Sequence, residues 1–70
     1  MSDVIIYTKV GCPYCAAAIK HYTEQGISFK EIDVHKTPGA MEKVKQLSGG
    51  RNIVPTIVEN GQVTVGFGGG

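Results

Sequence analysis

Two cysteines separated by two residues, Cys12 and Cys15, are the only cysteines among the 70 residues of the chain. The apolar, β-branched run from Val4 to Thr8 before them is typical of a short buried strand. Pro13 follows the first cysteine, and proline is favoured at the first position of a helix, where its missing N–H is not needed. The pattern therefore predicts a strand, a tight loop and a helix whose N-cap is Cys12.

An N-cap cysteine has a distinctive electrostatic environment. The first backbone N–H groups of a helix point at the cap, and the helix dipole favours negative charge there. Because the thiolate is the reactive form of cysteine, Cys12 is predicted to be a nucleophile, with Lys9 nearby as a further stabilising charge. Cys15 lies three residues on, on the same side of the first turn, within reach of a disulfide with Cys12.

Two other interpretations of the cysteine pair are less favoured. The spacing also suits half of a zinc site, but the chain has no second cysteine pair, and His21 and His35 lack a ligand spacing. The second alternative is a pair of inert core cysteines, since free cysteine is often buried. That alternative does not account for the proline between them or for the strand that precedes them.

Composition and charge narrow the class of protein. Seventy residues, 41% of them hydrophobic, predict one small domain, residues 1–70. A net charge of +1 with scattered lysines gives no reason to expect nucleic-acid or membrane binding. The N-terminus has no basic leader region, and the longest apolar run is too short to span a bilayer. A cytoplasmic protein is expected, and in that compartment such a cysteine pair is typically catalytic or metal-binding.

The rest of the chain predicts alternating strands and helices. A helix is predicted over residues 13–25 with Gly26 at its end, followed by a strand over residues 28–34. Thr37 and Pro38 repeat the cap-and-proline pattern and predict a second helix to about residue 48. Its apolar stripe is predicted to comprise Ala40, Met41, Val44 and Leu47.

Two strands complete the predicted order β-α-β-α-β-β. Residues 56–58 and 63–65 are strand-like, and Asn60-Gly61 between them is a strong signal for a two-residue hairpin turn. The first β-α-β unit implies a parallel pair, so a ligand site is expected at the carboxyl ends of those strands, beside Cys12.

The sequence resembles the glutaredoxin family over nearly its whole length. The matching segments are Tyr7-Thr8-Lys9, Cys12-Pro13-Tyr14-Cys15, Val54-Pro55 and Gly66-Phe67. The resemblance implies an α/β, thioredoxin-like fold: a mixed sheet with helices packed on it. It also implies glutathione-linked thiol–disulfide oxidoreduction, with glutathione as co-substrate and no metal. Disulfide-containing or glutathionylated proteins are the expected partners, and a monomer is expected.

The resemblance also implies roles for individual residues. Cys12 would be the nucleophile and Cys15 the resolving thiol. The expected glutathione or substrate contacts are Lys9, Tyr14, Arg51, Val54, Pro55 and Gly66. Within this set Lys9 and Arg51 would face the glutathione carboxylates, and Val54 would offer its extended backbone before a cis Pro55. For Lys9 and Arg51 the alternative is an ordinary solvated charge without a role.

Two departures from the family leave other functions open. Gly68-Gly69 replaces a polar or acidic pair that holds the γ-glutamyl end of glutathione in relatives, and the family's C-terminal helix is missing or truncated in this sequence.

Gly66-Phe67 is also similar to redoxins that are reduced by thioredoxin reductase, although those lack the Pro-Tyr pair. A third possibility is a carrier that holds a [2Fe–2S] cluster through Cys12 and glutathione, which Pro13 disfavours.

Overall fold

A computed structural model of the protein describes residues 4–51 and 53–67. The strands and helices follow the predicted order β-α-β-α-β-β. They are β1 (Val4–Thr8), α1 (Pro13–Glu24), β2 (Lys30–Asp33), α2 (Ala40–Leu47), β3 (Thr56–Glu59) and β4 (Gln62–Val65). The glycine-rich sequence of residues 66–70 also predicts that this segment forms no stable helix or strand, but residues 68–70 lie outside the described residues.

The four strands form one mixed sheet in the order β2-β1-β3-β4. β1 pairs with β2 in parallel and with β3 in antiparallel orientation, and β4 returns antiparallel to β3. The predicted parallel first pair and the mixed sheet are confirmed. β1 is a central strand, so its backbone is paired on both sides.

Side chains from both faces of β1 form the core. Val4 and Ile6 pack with Ala18 and Tyr22 of α1, on one face of the sheet. Tyr7 points to the opposite face, because successive strand residues alternate, and there it joins a cluster that includes residues of α2. A strand covered on both faces is expected to be a continuous apolar run, which is the pattern of β1.

The start of α2 differs from the prediction. The sequence favoured Thr37 as N-cap and Pro38 as first helical residue, but the helix begins at Ala40 with Gly39 as its N-cap and no side-chain cap. Gly39 has a φ of +81°, a left-handed conformation that a right-handed helix cannot contain. The Ala40 N–H donates to the Thr37 carbonyl at 3.1 Å, so residues 37–40 form a turn.

The predicted apolar stripe of α2 is nevertheless confirmed. Ala40 and Val44 are buried, and Met41 and Leu47 pack against the same cluster. The stripe survives the later helix start because all four residues lie within the observed helix.

β2 is shorter than the predicted 28–34, because its pairing with β1 begins only at Lys30. At its other end, Asp33 Oδ1 accepts hydrogen bonds from the backbone N–H groups of His35 (2.8 Å) and Lys36 (3.2 Å). This Asx turn diverts the chain from the sheet. The predicted hairpin turn is confirmed, with Asn60 and Gly61 both at positive φ.

Within the described residues, no helix has the length and apolar character needed to cross a bilayer.

Candidate active site

Cys12 caps the N-terminus of α1, as predicted. Its backbone is extended, with φ −96° and ψ 109°, and its Sγ accepts a hydrogen bond from the Cys15 N–H at 3.2 Å. The Cys12 carbonyl in turn accepts from the Ala16 N–H at 3.2 Å, which begins the helical hydrogen bonding. A backbone N–H aimed at sulfur stabilises negative charge on that atom. The side chain of Cys12 is half-buried and both cysteines are free thiols.

Cys15 lies in a different environment on the same turn. Only 3% of its surface is exposed, and it belongs to the core cluster. Burial, followed by its hydrogen bond with the Cys12 side chain, raises the pKa of Cys15 to about 12, although the backbone N–H of Lys9 acts in the opposite direction. Cys15 is therefore a protonated, enclosed thiol beside an accessible one.

A groove of about 310 Å³ opens on one side of Cys12. It lies between the loop before α1 and the segment before β3, and its lining comprises Lys9, Gly11, Cys12, Pro13, Tyr14, Ile53 and Val54. The Val54 carbonyl oxygen is 3.8 Å from Cys12 Sγ. The Val54 side chain is buried in the core, so mainly its backbone is available to the groove. The Val54–Pro55 peptide bond is cis.

The lining of this groove includes four of the predicted site residues and excludes the other four. Cys15 and Pro55 are buried. The Gly66 N–H donates to the Pro55 carbonyl at 2.8 Å, so Gly66 lies beside Pro55 at the end of the sheet. Arg51 is exposed, in the segment that leads to the groove, and is not among the lining residues. Lys9, Cys12, Tyr14 and Val54 all line the groove.

Thr56 is a supporting residue that the sequence reasoning missed. It is fully buried, and its Oγ1 donates to the Ile53 carbonyl at 2.6 Å. This hydrogen bond fixes the three-residue segment that carries Val54 past Cys12. A hydroxyl residue directly after a proline, in an otherwise apolar run, was the available signal in the sequence.

A second groove, of about 390 Å³, opens on the other side of Cys12. Residues of β1, α1 and β2 line it, among them Lys20 and Glu31. Thr8 Oγ1 donates to Glu31 Oε2 at 3.1 Å across the β1–β2 pair. This groove was not predicted from the sequence, because it depends on the parallel pairing of β1 and β2, which are separated by α1 in the chain. Within residues 4–51 and 53–67, no group of three or more His, Cys, Asp or Glu residues could hold a metal ion.

The fold and the two thiols define a class of protein. A thioredoxin-like sheet with a Cys-x-x-Cys pair at the start of its first helix is the architecture of a thiol–disulfide oxidoreductase. The family model for glutaredoxin matches residues 4–64, nearly the whole described chain. The chain belongs to the glutaredoxin family.

Curated relatives from bacteria agree with this assignment. Glutaredoxin 3 of Escherichia coli (strain K12) is 37% identical over 62 residues, which cover 89% of this chain and 74% of that protein. Mycoredoxin 1 of Corynebacterium glutamicum is 40% identical over 57 residues, which cover 81% of this chain and 70% of that protein. The match to glutaredoxin 1 of Rickettsia conorii, 38% identical, covers 81% of this chain but only 57% of that relative's length.

Solved structures confirm the thioredoxin-like fold. The glutaredoxin from Archaeoglobus fulgidus has a TM-score of 0.83 at 28% identity, covering 96% of this chain and 77% of that one. The glutaredoxin-like NrdH-redoxin from Escherichia coli has a TM-score of 0.82 at 26% identity, covering 93% of this chain and 83% of that one. The expected α/β fold with a mixed sheet is therefore confirmed.

Proposed function

We propose that this chain is a glutathione-linked oxidoreductase that reduces protein disulfides or glutathione mixed disulfides. The observation that carries the proposal is the position of Cys12 Sγ. It accepts the Cys15 N–H at a helix start and also borders a groove. A sulfur so placed is stabilised as an anion and can be reached by a second sulfur atom from outside.

The proposed reaction conserves atoms and electrons. The Cys12 thiolate attacks one sulfur of the substrate disulfide, which forms a mixed disulfide and releases the other sulfur as a thiolate that takes a proton from water. Cys15 then attacks Cys12 Sγ, and its proton passes to the departing substrate sulfur, which leaves as the second thiol while a Cys12–Cys15 disulfide forms. Two glutathione molecules supply two electrons to restore both thiols, and they leave as glutathione disulfide.

A shorter route handles glutathione mixed disulfides. Once Cys12 carries the glutathionyl group, a second glutathione thiolate attacks the glutathione sulfur and releases the Cys12 thiolate with glutathione disulfide. Cys15 has no part in this route.

The groove beside Cys12 has features that suit glutathione. Glutathione is a short peptide with two carboxylates, and Lys9 places an ammonium group at the groove. Arg51 is two residues before the groove-lining Ile53 and is proposed as a second cation for the ligand. Val54 precedes a proline and is held extended, which suits backbone pairing with an added peptide.

A second candidate has the same chemistry with another electron donor. Relatives at comparable similarity include a mycoredoxin, 40% identical. The glutaredoxin-like NrdH-redoxin of Escherichia coli, which has a thioredoxin-like activity profile, superposes with a TM-score of 0.82. In this candidate a flavoprotein reductase, rather than glutathione, would reduce the Cys12–Cys15 disulfide.

Parallel assays with bis(2-hydroxyethyl) disulfide test these proposals. One contains glutathione, glutathione reductase and NADPH, and the other contains thioredoxin reductase and NADPH without glutathione. Turnover in the first assay, lost by at least about a hundredfold in Cys12→Ser, is the expected result, since no other described side chain supplies the nucleophile. Cys15→Ser should retain activity on glutathione mixed disulfides.

The same assays separate the candidates. Turnover only with thioredoxin reductase would favour the second candidate, and turnover unaffected by Cys12→Ser would contradict both. The role of Lys9 is tested by Lys9→Gln, which should raise the KM for glutathione about two- to fivefold, the range for an exposed ion pair. Lys36→Gln is the matched control, because Lys36 is exposed and lines neither groove.

A further inference from the structure

Val10 is an exposed apolar side chain two residues before Cys12. It is 76% exposed, more than any other large hydrophobic side chain in the described part of the chain, where the next is Tyr14 at 43%. Val10 lines neither groove, although Lys9 and Gly11 on either side of it line both. Its side chain therefore projects into solvent, between two residues that line both grooves.

Core packing does not account for a valine at this position. Val10 belongs to neither hydrophobic cluster and packs against neither of them in the described structure. A side chain that stays in water when the chain folds contributes little hydrophobic stabilisation. The chain is therefore expected to fold equally well with a polar residue at position 10. The Val10 side chain is available for contacts with another molecule.

Covalent geometry brings a protein substrate to Val10. In a disulfide, the two Cα atoms are usually about 4.4–6.8 Å apart, so the reactive cysteine of a substrate must come that close to Cys12. The Cα atom of Val10 is at most about 7 Å from that of Cys12, because only two residues of chain separate them. The residues beside the substrate cysteine can therefore come within contact distance of Val10 when the substrate approaches from that side of Cys12.

Exposed apolar side chains precede and follow Cys12 in the sequence. Pro13 and Tyr14 are exposed after Cys12, as Val10 is before it. Lys9 is the only charged residue among residues 9–15. An apolar side chain of a substrate would lose little hydration against this surface, whereas a cationic or strongly hydrated one would be desolvated without a partner among residues 10–15.

We propose that Val10 is a specificity-determining residue that favours disulfide substrates with an aliphatic residue next to the reactive cysteine. The inference rests on the proposed oxidoreductase function and names a substrate class for it. A small hydrophilic disulfide fits within the grooves and does not reach Val10, so its reduction is independent of the side chain at position 10.

Single-turnover reduction of matched peptides tests this proposal without any choice of electron donor. The substrates are symmetric disulfides of the capped heptapeptide Gly-Ser-X-Cys-X-Ser-Gly, in which X is leucine or serine. The fully reduced protein supplies two electrons from its two thiols, becomes the Cys12–Cys15 disulfide and releases two peptide thiols per disulfide. Each rate is divided by the rate of the same peptide with free glutathione, to remove differences in intrinsic reactivity.

The wild-type protein is expected to reduce the leucine peptide about fivefold faster than the serine peptide, a modest effect because the contact is on an open surface. Val10→Ser should bring this ratio to about 1, and Val10→Thr, which keeps the shape but adds a hydroxyl, should lower it in part. Val63→Ser is the matched control, because Val63 is also exposed but lies in β4, and it should keep the wild-type ratio. All three variants should reduce bis(2-hydroxyethyl) disulfide at the wild-type rate.

A wild-type ratio near 1, or a ratio that survives Val10→Ser, would overturn the role of Val10 and leave the oxidoreductase proposal intact. If the reduced protein failed to reduce even bis(2-hydroxyethyl) disulfide, or if Cys12→Ser reduced it equally well, the proposed function would fail and the inference with it. An unchanged thermal unfolding midpoint in Val10→Ser shows that the comparison is between folded proteins.

Discussion

Cys12 and Cys15 lie on the same helical turn, yet their environments differ. Cys12 is half-buried, and its sulfur meets a backbone N–H at the helix start. Cys15 is enclosed by the core, which keeps it protonated. In the proposed reaction a substrate from solution therefore meets Cys12 first, and Cys15 attacks the Cys12 sulfur only after the mixed disulfide has formed.

The raised pKa of Cys15 makes the stability of the reduced protein depend on pH. In the unfolded chain this thiol ionises near pH 8.5, whereas in the folded protein its pKa is about 12. Below pH 8.5 the thiol is protonated in both states and its contribution to stability is complete. Above pH 8.5 only the unfolded state releases the proton, so the free energy of unfolding decreases as the pH rises toward 12.

Urea unfolding with an added phosphine reductant measures this effect. Between pH 8 and pH 10 the wild-type protein is expected to lose about 2 kcal/mol more stability than Cys15→Ala, at up to about 1.4 kcal/mol per pH unit. The alanine variant is the control for every other group that titrates in this range. Parallel pH profiles for the two proteins would show that Cys15 ionises in the folded state as it does in the unfolded chain.

At the scale of the elements, α1 shows how a helix combines a packed face with a site. Three consecutive alanines, Ala16, Ala17 and Ala18, are all good helix formers, but only Ala18 is buried, at 0% exposure. Ala18 packs against Ile6 and Ile57 of the sheet. A helix turns 100° per residue, so a single alanine of the three can face the sheet while its neighbours face solvent or the second groove.

Substitution by leucine distinguishes the two kinds of alanine. Ala18→Leu should lower the free energy of unfolding by about 1–3 kcal/mol, because the added atoms have no space between α1 and the sheet. Ala17→Leu is the matched control at an exposed position and should change stability by less than about 0.5 kcal/mol. Chemical denaturation of both variants checks the prediction, and an Ala18→Leu protein as stable as Ala17→Leu would mean that α1 does not approach the sheet so closely at Ala18.

At the scale of the whole molecule, the two edges of the sheet differ in character. β2 forms one edge and has three charged residues among four, Lys30, Glu31 and Asp33. β4 forms the other edge and has none, and its residues Val63 and Val65 are exposed. Charged residues on an edge strand discourage pairing with another chain, and an uncharged apolar edge invites it. Within residues 4–51 and 53–67, charge therefore protects the β2 edge of the sheet but not the β4 edge.

Adding a charge to β4 or removing one from β2 should change the aggregation rate without changing the thermal unfolding midpoint. Val63→Lys is expected to slow aggregation on heating, and Lys30→Val to accelerate it, because each changes the charge of an exposed edge position. Light scattering at a fixed temperature below the unfolding transition measures the rate, and thermal unfolding should show midpoints close to that of the wild-type protein. If Val63→Lys aggregated as fast as the wild-type chain, association would have to begin somewhere other than β4.

Monomeric state and cytoplasmic location remain predictions.

Local sequence was sufficient for the features that depend on neighbouring residues. β1, the Cys12 cap and the Asn60-Gly61 turn all follow from a few adjacent side chains, and each was predicted correctly. The order of elements follows in turn, because a β-α-β unit with a parallel first pair leaves few alternatives. Even here the start of α2 was misplaced, since Thr37-Pro38 resembles a helix start but the left-handed Gly39 delays it.

Tertiary structure decided what depends on residues far apart in the chain. The groove requires Val54 to lie beside Cys12, although the two residues are 42 positions apart in the sequence. No local sequence pattern predicts that they are close in space. The protonated state of Cys15 follows from enclosure by side chains of other elements, whereas the sequence predicted the cap position of Cys12 but not the burial of Cys15. Short-range propensities act through the backbone of a few residues, but burial and the approach of two loops exist only after the sheet has assembled.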